Sequence, residues 1–449
     1  MTDDSPAWRN WSGRLSAEAA RVARPSSTDE VAEAITSAAA DGLRVKAAGS
    51  GHSFSEIASP AGAVSLRLDR MDRVLEVDAD TGRVRVQGGI PLHQLNPELQ
   101  RHGLAMANLG DIDRQTITGA TATGTHGTGA RFGSLSTQIA GLTIVAADGT
   151  VKNCSAQENP ELFTAARVGL GALGVVTEVT LQCVPAFPLH SREVSLPLER
   201  LLDELDGLVA SNDHFEFFWF PHTRTAITRR WNQMPADTAL RPVSDRRKAL
   251  GEAFETVAGN ALFTLASALP QLTPTITRGV SQLFAGPEQI DVSHKVFASR
   301  RDIRFNEGEY GVPRDNIVAV LREIVDWIRT SDEKVTFPLE VRFVAPDDIP
   351  LSPSYQRPSA YVAFHQYHRM GYRRFFDGME DILGAAAGRP HWGKMHRLDA
   401  AALRPRYPRF DEFVALRDQL DPTGVFANAY LDRVIGVAPH ASPVEERQR

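Results

Sequence analysis

The chain has 449 residues, of which 42% are hydrophobic and 23% charged, and its formal net charge is −6. These values are typical of a globular protein with a sizeable core and two or three domains. The negative charge, and the lack of a basic patch interleaved with aromatic residues, exclude an electrostatic footprint for nucleic acid. The sequence also lacks a secretory signal and an apolar run of about 18 residues, so we expect a cytoplasmic protein without a transmembrane segment.

The first elements along the chain are a helix and a strand. Ser27 to Glu30 reads as a capping box that begins a helix, and Gly42 ends it. Leu43 to Ala48 then predicts a strand that runs into a loop of small residues around one histidine: Ala48, Gly49, Ser50, Gly51, His52 and Ser53. Small side chains let backbone N–H groups approach a pyrophosphate closely, although a plain turn with an exposed histidine stays open at this point.

A second, longer stretch of small residues lies between predicted strands. It begins near Gly110 and Asp111 and continues through Thr116, Gly119, Ala120, Thr121, Thr123, Gly124, His126 and Gly127. Such a run cannot bury much apolar area. It suits a backbone surface laid against a flat or phosphorylated ligand, and a flexible linker is the alternative.

The third glycine-rich stretch, Gly169 to Val176, comes directly before a strand and includes Gly174 and Val175. The dinucleotide fingerprint has the opposite order, with a glycine-rich turn after a strand and before a helix, so a nicotinamide Rossmann domain is not supported. Three small-residue loops instead predict one extended cofactor held across an α+β domain. Cys154 and Cys183 match neither a disulfide framework nor a metal-ligand pattern, and we expect no metal site.

The second half begins after Pro185 and Pro188, which mark the predicted domain boundary. We expect a strand at 215–220, helices from about 245 to 284 that pack by their apolar faces, and strands at 336–344 and 360–366. Glu340 and Arg342 fall on one face of the strand predicted at 336–344, where they form either a substrate-binding pair or a surface ion pair. The stretch His391-Trp392-Gly393-Lys394 has no clean periodicity and reads as a loop with an aromatic anchor.

Four motifs occur in the order of one known family: Gly49 to Ser53, Ala122 to Gly129, Glu340-x-Arg342 and His391 to Lys394. The chain resembles the sugar-1,4-lactone oxidase and alditol oxidase branch of the vanillyl-alcohol-oxidase flavoproteins, from about Trp11 to Val434. The resemblance implies an α+β fold of two domains. A PCMH-type FAD-binding domain would cover 12–185, and a cap domain with an antiparallel sheet and helices 186–436. The segment near 390–434 would pack back on the FAD domain, and 437–449 would be a tail.

The same resemblance implies roles for single residues. His52 would bond covalently to the 8α-methyl carbon of FAD, and the small-residue loops, with Val175, Val176, His391 and Lys394, would bind the cofactor. Glu340, Arg342, Lys394 and His365 would act on the substrate. Asp111 departs from the family pattern, in which alditol oxidases have serine and gulonolactone oxidases alanine.

The resemblance also implies the reaction. A hydroxyl group of a small polyhydroxylated substrate, a sugar lactone, would pass hydride to flavin N5, with Arg342 and Lys394 holding or accepting the hydroxyl proton. Gly110 leaves room at the flavin and favours O2 as the electron acceptor. The alternatives are a dehydrogenase with a cytochrome or quinone acceptor, an alditol oxidase, a flavin-dependent UDP-sugar reductase and a non-catalytic flavin-binding protein.

Overall fold

The computed structural model of the protein describes residues 5–281, 286–299 and 302–440. The predicted tail at 437–449 and the end of the predicted helical stretch at 282–284 therefore lie largely outside the described residues.

The N-terminal part contains two larger sheets with helices around them. Its strands are β1 (Ala7–Arg9), β2 (Ser16–Glu18), β3 (Arg21–Ala23), β4 (Val45–Ala47), β5 (Val64–Leu66), β6 (Val74–Asp78), β7 (Arg83–Gln87), β8 (Leu104–Ala105), β9 (Ile139–Val145), β10 (Val151–Ser155), β11 (Val175–Gln182) and β12 (Val184–Pro185). Its helices are α1 (Thr28–Ala40), α2 (Leu92–Arg101), α3 (Ile117–Ala122) and α4 (Pro160–Ala166). A parallel sheet has the order β3-β5-β4, and a five-stranded antiparallel sheet has the order β10-β9-β11-β7-β6.

Helix α1 begins at the predicted residue. The Ser27 hydroxyl accepts a hydrogen bond from the Glu30 backbone N–H at 3.2 Å. The reciprocal half of the predicted capping box is absent, because the Glu30 carboxylate accepts from the Ser26 backbone N–H at 2.7 Å instead. The apolar face of α1 is fully buried against the parallel sheet, which places β4 and the loop that follows it.

The C-terminal part is built on one eight-stranded antiparallel sheet. Its strands are β13 (Pro188–Pro197), β14 (His214–Trp219), β15 (Thr225–Gln233), β16 (Gln289–Val292), β17 (Phe305–Pro313), β18 (Leu339–Val344), β19 (Ser359–Tyr367) and β20 (Arg389–Pro390), in the order β16-β13-β15-β14-β18-β19-β17-β20. Its helices are α5 (Leu198–Asp203), α6 (Leu205–Ala210), α7 (Asp245–Ala268), α8 (Thr273–Ser281), α9 (Ser293–Phe297), α10 (Ile317–Ser331), α11 (Arg373–Ala385), α12 (Ala400–Leu403), α13 (Phe410–Leu420) and α14 (Ala429–Ile435).

The two faces of this sheet differ in chemistry. On β18, Leu339, Val341 and Phe343 belong to one apolar core with residues of α10 and α11. Glu340 and Arg342 alternate with them and point to the opposite face, and they are only 5% and 7% exposed. The reading of this pair as a surface ion pair is therefore wrong, because both side chains lie inside the protein.

The prediction that the helices in this region, α7 and α8, pack by their apolar faces is only partly confirmed. Phe263 is buried, whereas Leu265 and Leu269 are 43% and 47% exposed. The prediction that this whole apolar face is covered is wrong for the latter two residues. In the part of the chain that the structure describes, no helix is long and apolar enough to cross a membrane.

The two parts of the chain meet through backbone contacts. The Val45 N–H on β4 donates to the Val425 carbonyl at 2.7 Å, so the C-terminal segment packs on the first sheet. The Gly129 N–H donates to the Phe343 carbonyl at 2.7 Å, which ties the second small-residue run to β18. We propose to keep the domain boundary between 185 and 186, since the eight-stranded sheet starts at Pro188.

Candidate functional site

The three small-residue stretches predicted from the sequence line one cavity of about 480 Å³. This size falls within the range of roughly 300–1,000 Å³ that is usual for ligand and cofactor sites. The predicted cofactor residues that line it are Ala48, Gly49, Ser50, Gly51, His52, Ser53, Thr116, Gly119, Thr123, Gly174, Val175 and Val176. We call this cavity the cofactor cleft.

Glycine is required where the loop after β4 meets α3. A Cβ atom on Gly49 or on Gly119 would lie 2.7 or 2.9 Å from the Thr116 hydroxyl oxygen, closer than real Cβ contacts. Gly51 adopts a φ of +71°, which L side chains rarely adopt. Small residues therefore shape this wall of the cleft, which exposes mainly backbone to a ligand.

Four predicted cofactor residues of the second stretch line neither the cofactor cleft nor the smaller cavity beside it. Ala120 is fully buried in the core, and the Thr121 hydroxyl donates to the Ile117 carbonyl. Gly124 contacts Val168, and Gly127 packs so tightly on the Leu109 carbonyl that a Cβ would lie 2.1 Å from it. These residues shape the turn rather than contact a ligand directly.

A second cavity, which we call the reaction cavity, opens beside the cofactor cleft. The two share His52, Ser53, Gln115 and Thr123. The reaction cavity is further lined by Gly110, Asp111, Ile112, Thr125, His126, Glu309, Arg342, His391, Gly393 and Lys394. The structure thus brings Arg342, His391 and Lys394 together with residues of the first and second small-residue stretches, whereas Glu340 and His365 line neither cavity.

His52 lies where the two cavities meet. Its ring stacks on Trp11 with ring centroids 5.8 Å apart. Burial, then the nearby charges of Lys394 and Arg114, lower the pKa of His52 to about 4. The imidazole is neutral at physiological pH and has a free lone pair.

The inner face of the eight-stranded sheet carries a row of alternating charges. Across four neighbouring strands the register places Glu193, Arg229, Glu216 and Arg342 opposite one another. The Arg342 Nε donates to Glu216 at 3.0 Å, and its Nη2 contacts Glu340 and lies 3.5 Å from Asp111. Burial alone would lower the pKa of Arg342, but these carboxylates raise it well above its ordinary value.

Lys394 enters the reaction cavity from the loop after β20. The backbone N–H groups of His391 and Met395 donate to the Glu309 and Glu307 carbonyls, each at 2.9 Å, so this loop is fastened to β17. The Lys394 Nζ lies 2.5 Å from the Glu307 carboxylate, which in turn lies 3.3 Å from His365 Nε2. Burial would lower the pKa of Lys394, but Glu307 and Glu309 raise it.

Three buried residues of this region have metal-ligating atoms within 4.8 Å of one another: His126, Glu309 and His391. The Gly393 N–H donates to His391 Nδ1 at 3.0 Å, so the neutral ring carries its hydrogen on Nε2. Burial lowers the pKa of His391 to about 3, which keeps the ring neutral. Since His391 then has no lone pair to offer, we assign no metal to this group.

Sequence reasoning missed Lys46, Glu216, Glu307 and Glu309. Strand β17 was not predicted, since its sequence Phe-Asn-Glu-Gly-Glu-Tyr-Gly-Val-Pro is rich in residues that are depleted in strands. The one available signal was the alternation of Glu307 and Glu309 around Gly308. Lys46 lines the cofactor cleft, donates to the Phe426 carbonyl at 3.1 Å, and has its pKa lowered by burial to about 7.

Comparison with known protein families shows the family to which this chain belongs. Residues 179–434 match the family of D-arabinono-1,4-lactone oxidase, and residues 19–155 match an FAD-binding domain. The chain belongs to the D-arabinono-1,4-lactone oxidase family. This confirms the resemblance found in the sequence and makes the protein an FAD-dependent oxidoreductase.

Relatives of this lactone oxidase family align over almost the whole chain. An L-gulono-1,4-lactone dehydrogenase of Mycobacterium tuberculosis is 44% identical over 96% of this chain and 100% of its own length. L-gulonolactone oxidase of Bos taurus is 36% identical over 95% and 98%, and an alditol oxidase of a Streptomyces species is 33% identical over the same shares. Cholesterol oxidase from B. sterolicum, which is 19% identical, superposes with a TM-score of 0.84 over 96% of both chains and confirms the two-domain α+β fold.

FAD, the cofactor of this lactone oxidase family, fits the cofactor cleft. The cleft is lined by residues of both larger sheets of the N-terminal part and presents small residues from three loops. Arg67 supplies positive charge in its wall and Lys46 a further amine donor, which suits a ligand that carries a diphosphate.

Proposed function

We propose that this protein oxidises a hydroxyl group of a sugar-1,4-lactone, such as L-gulono-, L-galactono- or D-arabinono-lactone. The observation that carries the proposal is the convergence of Arg342 and Lys394 on one buried cavity that adjoins the cofactor cleft. The names of the relatives support the substrate class. Xylitol or sorbitol is the second candidate class, favoured by the relative named alditol oxidase.

When bound, FAD supplies the two-electron acceptor for the substrate's hydride. Arg342 and Lys394 would bind the reacting oxygen and stabilise the negative charge that develops there. Nearby carboxylates raise the pKa of both groups, so they stay protonated and donate hydrogen bonds. This argues against the sequence-based idea that they accept the hydroxyl proton.

Asp111 and Glu309 line the reaction cavity, and Glu340 lies next to it in contact with Arg342; of these carboxylates we assign the role of proton acceptor to Glu340. It contacts Arg342 and is 5% exposed, so Arg342 fixes its position. A buried carboxylate in hydrogen-bond reach of the substrate hydroxyl would act as general base. His365 would support Lys394 from the far side of Glu307.

His52 would attach FAD covalently. Its imidazole is neutral and lies where the cofactor cleft meets the reaction cavity. The bond would join an imidazole nitrogen to the 8α-methyl carbon; the methyl carbon and the imidazole would each lose one proton, and the two electrons would pass on to O2 or to the final acceptor. Yellow colour should stay with acid-precipitated wild-type protein and be lost with His52→Ala, whereas His102→Ala, which changes a histidine outside both cavities, should retain it.

For the electron acceptor we propose O2, which would be reduced to H2O2. Gly110 lines the reaction cavity and has no side chain to shield a bound flavin. A dehydrogenase that passes electrons to a cytochrome or quinone is the second candidate, since one relative is named a dehydrogenase. The cytoplasmic location predicted from the sequence stays a prediction.

The experiment that tests this function is a substrate screen. Aldonolactones and alditols are added with O2 and then with an artificial dye as acceptor, while H2O2 and dye reduction are measured. We expect turnover with at least one lactone and H2O2 production without the dye. Turnover with the dye alone would identify the protein as a dehydrogenase. Turnover of alditols alone would make alditols, and not lactones, the substrate class. No turnover of any compound would revive the non-catalytic flavoprotein.

A further inference from the structure

Glu307 contacts both Lys394, which lines the reaction cavity, and His365, which lies on a different segment of the chain. It lies on β17, directly opposite His365 on β19 in the register, and is 6% exposed. One of its oxygens, Oε1, lies 2.5 Å from the Lys394 Nζ and 3.3 Å from the His365 Nε2. A single carboxylate oxygen thus faces two nitrogen donors inside the protein.

The hydrogen bonds define the protonation of His365. Its Nδ1 lies 3.0 Å from the Pro338 carbonyl, which can only accept, so Nδ1 carries a hydrogen. Its Nε2 faces the Glu307 carboxylate, which also only accepts when ionised. Since Lys394 donates to the same oxygen, Glu307 is ionised and His365 carries hydrogen on both nitrogens. The three groups together form a buried cluster with one negative and two positive charges.

Electrostatics agree with this geometry. Burial would raise the pKa of Glu307, but Lys394 and His365 lower it overall. Burial would lower the pKa of His365, but Glu307 raises it, with Glu340 adding to the effect. Glu309 and Asp111 are the further carboxylates that act on Lys394 from neighbouring segments.

We propose that Glu307 is a positioning residue that keeps Lys394 and His365 both charged and fixes the Lys394 amine in the reaction cavity. Without the carboxylate, two neighbouring buried cations repel each other and at least one loses its proton near neutral pH. Lys394 therefore serves as a permanent hydrogen-bond donor to the substrate oxygen, and the reaction does not depend on histidine titration. The kinetic part of this inference rests on the proposed function.

The test compares Glu307→Gln and Glu307→Asp with wild type and with Glu380→Gln. Glu380 is also a buried carboxylate, but it lies on α11 outside both cavities. The rate of anaerobic FAD reduction by a lactone is measured from about pH 6 to about pH 8.5, the window in which ordinary histidine loses its proton. The ¹⁵N signals of His365, assigned with His365→Gln, report its protonation without any turnover.

We expect a level rate for wild type and Glu380→Gln across this window, and an imidazolium signal of His365 at about pH 7.5. Glu307→Gln should lose about 100-fold in rate at the alkaline end, less at the acid end, and should show neutral His365. In Glu307→Asp the rate of FAD reduction should depend on pH less strongly than in Glu307→Gln. A wild-type profile in Glu307→Gln, or the same change in Glu380→Gln, would overturn the proposal.

The two proposals fail in different ways. If wild type is reduced by no lactone or alditol, the proposed function fails, and the His365 signals still decide the role of Glu307. If Glu307→Gln does not fold, the wild-type protein suffices, because a neutral His365 at about pH 7.5 contradicts the hydrogen-bond assignment.

Discussion

On the central strands β18 and β19 both faces of the C-terminal sheet are buried, and the two faces differ in chemistry. On β19, Phe364 is fully buried among aromatic residues of α11, and the next residue, His365, is almost as buried among charges. Burial of an apolar side chain stabilises the fold by roughly 1.5–3 kcal/mol. Burial of charges costs free energy that pairing recovers only in part. The comparison indicates that the apolar face provides stability and the charged face provides the chemistry.

The largest effect on stability is expected on the apolar face. Phe364→Ala should lower the free energy of unfolding by about 3–5 kcal/mol, since it leaves a cavity in the core. The Phe364 ring packs directly on Gly308, where a Cβ would lie 2.3 Å from it, and glycine has no side chain that could fill the cavity. Denaturant titration measures this loss, and the rate of FAD reduction at a permissive temperature should stay near that of wild type. A large loss of rate in the folded variant would contradict the separation of the two faces.

The next largest effect is expected for a substitution on the charged face, which should lower the rate of FAD reduction. Glu340→Gln keeps the shape of the side chain but removes its charge, and it should slow anaerobic FAD reduction about 100-fold or more. Stability should change little, since Arg342 keeps its hydrogen bond to Glu216. FAD content, measured after denaturation, is the control. An undiminished rate with full FAD content would remove Glu340 from the reaction.

A smaller effect is expected on the pH dependence of the free energy of unfolding, to which two groups of histidines contribute with opposite signs. Burial lowers the pKa of His214, His391 and His396 to about 4, 3 and 3, so the unfolded chain binds more protons between these values and about 6.5. These groups make the free energy of unfolding rise with pH through that window. The pKa of His365 is raised, so its contribution is full below about 6.5 and is lost as pH rises through its folded value.

Denaturant titrations at several pH values measure both trends. His396→Asn should flatten the rise at acid pH, and His365→Gln should flatten the decline above about pH 6.5. A wild-type stability that keeps rising with pH above that value, unchanged in His365→Gln, would contradict the charged state of His365.

The smallest expected effect concerns the substitution of Gly110, which lines the reaction cavity. A Cβ on Gly110 would lie 3.3 Å from Thr125 Cγ2 and 3.4 Å from the His126 carbonyl, so alanine fits after a shift of a few tenths of an ångström. Gly110→Ala should leave reduction by substrate nearly unchanged and slow reoxidation by O2, while a dye still reoxidises the protein. Equal O2 reactivity of both proteins would separate Gly110 from the acceptor choice.

Local patterns in the sequence predicted much of the fold and part of the site. The alternation on β18 predicted that Glu340 and Arg342 share a face, and the small-residue stretches predicted the walls of the cofactor cleft. Alternation alone cannot say which face is solvated, so the burial of the charged face was not foreseen. The contact of Glu307 with Lys394 and His365 depends on pairing between segments far apart in sequence, which no local pattern contains.

The most direct test of the central claim is anaerobic addition of a sugar-1,4-lactone to the FAD-loaded protein. We expect the visible absorbance of the oxidised flavin to bleach rapidly in wild type and slowly in Glu340→Gln at equal FAD content. Bleaching at the same rate in both proteins, or in neither with any lactone or alditol, would contradict the assignment of the charged face as the site of hydroxyl oxidation.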